Sequence, residues 1–150
     1  MPAFHFRLDA LERLRRQQRE QCQLDVSAAE EAKRGLATEL VLVESRLVEL
    51  QAVMRSGASP GQVDLQRLCS QGDFCKRLQT QLTQLGQQRA QLEDEIARRR
   101  RALVEADREL KTLEKLRERQ HQQHETGSRR ADQRLQDDAA ARSFGRESRH

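Results

Sequence analysis

The sequence has no tryptophan and no tyrosine, and only four phenylalanines in 150 residues. A core built around large aromatic side chains is therefore excluded. Its two prolines, Pro2 and Pro60, leave long stretches free of helix breakers. Cys22, Cys69 and Cys75 are odd in number and lack CxxC spacing, so reduced thiols are expected rather than a disulfide framework. No apolar run approaches the ~20 residues of a membrane span. Asp9 and Glu12 interrupt the N-terminal region where a signal peptide would carry its apolar stretch, which predicts a cytoplasmic chain. There is no Gly-rich phosphate loop, no Ser–His–Asp set and no pair of acids in a cleft. Hydrophobic and charged residues each make up 35%, which is lean for a globular core. Two helices enclose almost no cavity, so no enzyme activity, cofactor or small-molecule substrate is expected.

What the chain does have is a long seam. Leu78, Leu82, Leu85, Leu92, Ile96, Leu103, Ala106, Leu110 and Leu113 fall on steps of four and three, interrupted by Arg89 and Arg99. This is the period of a left-handed coiled coil held over about five heptads. Earlier in the chain Phe4, Leu8 and Leu11 open a helical face. The face thins at Ala28, Ala29 and Ala32, then thickens at Leu36, Leu40, Val43, Leu47, Leu50 and Met54. Between the two seams lies Ser56-Gly57-Ala58-Ser59-Pro60-Gly61. It offers a C-cap glycine, an N-cap serine, a proline for the first helical position and a Ser59/Gln62 capping box.

The fold class predicted is all-α, a long two-helix antiparallel coiled-coil hairpin. The hairpin covers residues 1–126, with a helix over about 4–55, a turn at 56–61 and a helix over about 60–125. At 1.5 Å per residue the helices span roughly 80 and 100 Å. Gly127-Ser128 is expected to break the second helix and leave 127–150 as a polar tail, frayed or helical only when docked. With the hairpin axis near Ala58 and Ser59, Phe4 is expected opposite Leu113, Leu36 opposite Gln81 and Leu47 opposite Ser70. Small residues at Ala28 and Ala29 would then let the Arg89 stem pass to water.

Several residues invite a chemical reading. His121 and His124, with Glu125, could hold zinc but lack a third ligand nearby, so a solvated helix end is preferred. Arg98 to Arg101 splay around their helix, with Asp94 and Glu95 one turn away from Arg98 and Arg99, and read as a solvated basic collar. The net charge of +4 permits acidic partners. Interleaved acids and absent stacking aromatics argue against nucleic acid. Val41, Leu42, Val48 and Phe74 lie off the seams. The expected register puts Leu42 and Phe74 at similar height, which suggests a partner surface.

Three segments carry a resemblance. The opening is Phe4-x-Phe6-x-Leu8-x-x-Leu11-x-x-Leu14-Arg15. A late segment is Leu110-Lys111-x-Leu113-Glu114-Lys115-Leu116-Arg117-Glu118-Arg119. The tail has Asp132-Gln133, then Asp137-Asp138-Ala139-Ala140-Ala141-Arg142-x-Phe144. Together, in this order, they resemble the FliJ family, a small coiled-coil component of the flagellar type III export apparatus. The resemblance implies a hairpin like the stalk of rotary ATPases. Such a protein binds the hexameric export ATPase and promotes its assembly and activity. It also contacts the cytoplasmic domain of the export gate and escorts export chaperones, which implies peripheral association with the membrane through the apparatus.

Residue by residue, the resemblance implies an ATPase-ring contact at Phe4, Phe6, Leu8, Leu11, Leu113, Leu116, Arg117 and Arg119. A gate contact is implied at Leu42, Phe74 and Leu78. Arg13 and Arg16 are expected to join Arg117 and Arg119 as long cations reaching acidic loops. The alternatives are the equivalent stalk of a virulence injectisome, a basic coiled coil on nucleic acid, and a structural homodimer.

Overall fold

A computed structural model describes residues 2–57 and 64–149. Helix α1 (Asp9–Ser56) begins with Asp9 and Glu12 in its first turn, where carboxylates complement the helix dipole. It therefore starts later than the expected Phe4. Residues 2–8 are an irregular strap, tied in by the Asp9 amide donating to the Phe6 carbonyl at 3.2 Å. Helix α1 closes with Gly57 N–H donating to Val53 O at 2.9 Å, and the Ser56 hydroxyl donating to the same oxygen at 3.0 Å.

Helix α2 (Leu65–Glu147) is preceded directly by an acid, Asp64. Asp64 Oδ1 accepts the Arg67 amide at 3.4 Å, an N-cap to the third helical residue. The expected Ser59–Gln62 capping box and Pro60 start lie outside the described residues. At its far end α2 runs through Gly127 and Ser128 to Glu147, so the expected break at 127 is corrected. A mid-helix glycine costs about 1 kcal/mol relative to alanine, and that alone does not end a helix of good formers.

The two helices pack antiparallel as a coiled coil, and no strand occurs among the described residues. They divide into two compact units. A terminal unit joins Met1–Glu20 to Val104–His150, and a turn unit comprises Gln21–Leu103. In the terminal unit the core is Phe6, Ala106, Leu110 and Leu113, with the Glu12 carboxylate among them. In the turn unit Val43, Leu78 and Leu85 are buried under Leu36, Leu40, Leu47, Leu50 and Leu82. The apolar residues at four-and-three spacing thus meet face to face, the arrangement that removes both stripes from water.

The register differs from the expected one. In the terminal unit Phe4 lies against His121, not Leu113. In the turn unit Met54 touches Cys75, and Glu30 pairs with Arg100. The hairpin axis lies later in the chain than expected, so each facing partner lies further along α2. Consequently Arg89 does not cross the small-residue stretch. It is largely exposed and pairs with Glu93 on its own helix at 3.4 Å. The other seam arginine, Arg99, crosses there instead, donating to the Asp25 carbonyl at 2.7 Å beside buried Ala29.

Candidate functional site

The terminal unit is organised around a buried carboxylate. Glu12 is only 2% exposed, although Arg16 stands four residues on, a spacing ordinarily met in pairs on the exposed face of a helix. Arg16 and Arg117 both donate to it at 3.0 Å, one from its own helix and one from α2. Arg117 also approaches Asp9 at 3.8 Å and covers the Phe6 ring at 6.0 Å. Around this centre Arg13 pairs with Asp9 at 2.6 Å and Arg15 with Glu109 at 2.7 Å. Asp107 receives Arg19 at 3.0 Å and Lys111 at 2.8 Å. The Lys111 hydrogen bond, ahead of the Arg19 charge, holds the Asp107 carboxyl below its ordinary range.

These pairs change the expected ring-contact set. Arg13, Arg16 and Arg117 are engaged inside the unit rather than held out for a partner. Phe6 and Leu113 are buried core, while Phe4, Leu8 and Leu116 are half-buried and Leu11 is at the edge of exposure. Only Arg119 keeps the expected character, since it is exposed and makes no ion pair among the described residues.

Arg119 does not stand alone. Arg108, Lys115, Arg119 and Arg130 are all exposed, and none pairs with a carboxylate among the described residues. Their steps of seven, four and eleven repeat close to whole helical turns, which puts them on one face of α2. The seam residues Ala106, Leu110 and Leu113 lie on the other face. A shallow groove lined by Gln122, Gln123, Thr126 and Gly127 joins Arg119 to Arg130. Sequence reading passed over Arg108, Lys115 and Arg130. The available signal was that Arg119 and Arg130 have no acid three or four residues away on either side.

In the turn unit the expected gate residues separate. Leu42 is 55% exposed and Phe74 is 44% exposed with the Arg77 guanidinium over its ring, whereas Leu78 is buried at 4% between the helices. Leu78 is thus a packing residue here and presents nothing to a partner. Nor do Leu42 and Phe74 share a height. Cys75 touches Met54, so Phe74 belongs near Val53 and the connector, about three turns along α1 from Leu42. The exposed apolar surface is correspondingly two patches. Val41, Leu42 and Val48 lie earlier along α1, while Val53 lies near its end and Leu65, Leu68 and Phe74 lie in the first turns of α2.

The arginine collar is largely consumed within the turn unit. Arg98 and Arg99 both donate to Glu95, rather than Arg98 to Asp94, and Arg100 reaches Glu30 across the hairpin at 2.6 Å. Hydrogen bonds from Arg99 and Arg98 lower the Glu95 carboxyl below its ordinary range, and the Arg100 bond does the same for Glu30. Arg101 makes no ion pair among the described residues and donates to the Ala97 carbonyl of its own helix. No cluster of three metal-ligating side chains occurs among the described residues, and His121 and His124 pack on Phe4 instead. All three cysteines are free thiols.

No helix among the described residues is long and apolar enough to cross a membrane. No curated protein and no solved structure matches the chain. The family described as "Flagellar FliJ protein" matches residues 4–149, nearly the whole length, and it is a family of the flagellar export apparatus without catalytic residues. A paired coiled-coil hairpin of this length, matched from its strap to the end of α2, belongs to the FliJ family.

Proposed function

We propose that this protein is a non-catalytic stalk of the export apparatus. Its terminal unit binds the hexameric export ATPase and promotes assembly and hydrolysis. The observation that carries this reading is the cationic face of Arg108, Lys115, Arg119 and Arg130, none of them paired with a carboxylate among the described residues. One rod facing six similar subunits cannot fill six identical deep pockets. Long exposed cations on a rigid helix suit that mismatch, because each can reach acidic groups at varied distance and angle. Leu42 and Phe74 are the proposed contacts for the cytoplasmic domain of the export gate, each an exposed apolar side chain on a stiff helix. Chaperone escort and a peripheral position at the inner face of the membrane follow from the same role.

The test is a pull-down with the cognate export ATPase, read by hydrolysis rate and hexamer yield. Wild-type chain is expected to raise both. Arg119→Glu with Arg130→Glu is expected to lower both while circular dichroism stays unchanged. Full stimulation by that variant would reject this face as the contact.

A further inference from the structure

Residues 2–8 lie as an irregular strap on the terminal unit. Phe6 anchors it, 6% exposed beneath Arg117. Ahead of that anchor, the Phe4 ring meets two imidazoles of α2. The Phe4 and His121 rings form a T-shaped pair at 5.0 Å between centroids with an interplanar angle of 86°, and His124 is tilted at 5.7 Å. Three residues apart on a helix, the two histidines share one face. Histidine is the side chain that ordinarily changes charge between pH 5 and 8. An imidazolium is attracted to an aromatic ring in a way that the neutral imidazole is not.

The charged surroundings of His121 are mostly acidic. The cleft it lines with Phe4 is also lined by Glu12, Glu114, Arg117 and Glu118. Glu12 is satisfied by Arg16 and Arg117, and Glu114 has Arg16 at 3.8 Å. Glu118 accepts only the neutral Gln122 amide. Glu125 stands 3.8 Å from His121 Nε2. Carboxylates facing His121 therefore exceed the cations that offset them. On the strap itself the flanking charged or titratable groups are His5 and Arg7, both exposed.

We propose that the strap is a pH-sensitive latch, closed by protonation of His121 and His124 against Phe4 and loosened when they lose their protons. Because the closed strap interacts more favourably with imidazolium than the open strap does, acidification favours closure, and closure weakens as pH rises through the histidine range. Each imidazolium–ring contact is expected to shift the closed-to-open ratio about two- to fivefold, the equilibrium equivalent of one exposed cation–π contact. Loosening would uncover the turn of α2 around His121 and His124.

The chain has no tryptophan, so Phe4→Trp introduces a single reporter at the latch. Acrylamide quenching of the introduced indole, corrected for lifetime, measures its exposure at pH 8 and pH 5.5, with helicity at 222 nm as the fold control. Quenching should fall on acidification. The same variant carrying His121→Gln and His124→Gln should show no such change. Quenching that stays constant or rises on acidification with both histidines present overturns the proposal. So does a fall that persists without them.

Discussion

Arg117 reaches across the coiled-coil seam to donate to the Glu12 carboxylate at 3.0 Å, and the carboxylate it meets is buried. A charged layer therefore stands where the four-and-three pattern calls for an apolar one. Such a layer fixes register, because sliding the helices by a turn would take Arg117 away from the buried carboxylate and leave it only Arg16 of its own helix.

Removing one partner from this layer should be costly. Arg117→Glu would oppose two carboxylates and is expected to destabilise the chain by roughly 2–3 kcal/mol, less than for a fully dry pair because Arg117 is half-exposed. Chemical denaturation measures the change. A midpoint equal to wild type would show that Glu12 finds another partner.

Arg117 and Arg119 should separate stability from binding. Arg119→Glu lies on the open face and is expected to change stability by no more than about 0.5 kcal/mol. Its effect on stimulation of the export ATPase should shrink as salt is raised, since the wild-type attraction is itself screened. Arg117→Glu should lose helicity and stimulation together. The paired measurement is thermal melting beside hydrolysis rate.

Phe74 and Leu78 should part in the same way. Leu78→Ala removes a buried seam side chain and is expected to cost about 2–3 kcal/mol. Phe74→Ala should stay within about 0.5 kcal/mol. If Phe74 and Leu42 contact the export gate, their alanine variants lose gate binding at full helicity.

Stability should fall in acid. The Glu30, Glu95 and Asp107 carboxyls are lowered in the native state, by Arg100, by Arg99 with Arg98, and by Lys111 with Arg19 respectively. A group with a lowered native value contributes stability that is fully present above its unfolded value, near pH 4–4.5, and lost as pH falls through the native value. The melting temperature should therefore hold from pH 7 to about 5 and drop below about 4. The drop should be blunted in Glu95→Gln.

Gly127→Ala should stabilise the end of α2. A Cβ at this position meets nothing within 4 Å. The expected gain is about 0.5–1 kcal/mol of local helix stability, seen as slower amide exchange around residue 127.

The sequence by itself determined the antiparallel coiled coil. A sustained four-and-three apolar spacing admits one economical burial, helix against helix, and the two seams on either side of one turn supply both partners. It also determined the exposure of Leu42 and Phe74, whose off-seam positions cannot face the other helix. Tertiary structure decided the register. A one-residue change in where α2 begins moves every facing pair, and the caps at Ser59 and Asp64 read alike in sequence. That register decided which cations are spent. Arg100 and Arg117 look as available as Arg119 until the opposing acids are aligned, because an ion pair across a seam depends on where two helices stop sliding, not on the neighbours of either residue along its own chain.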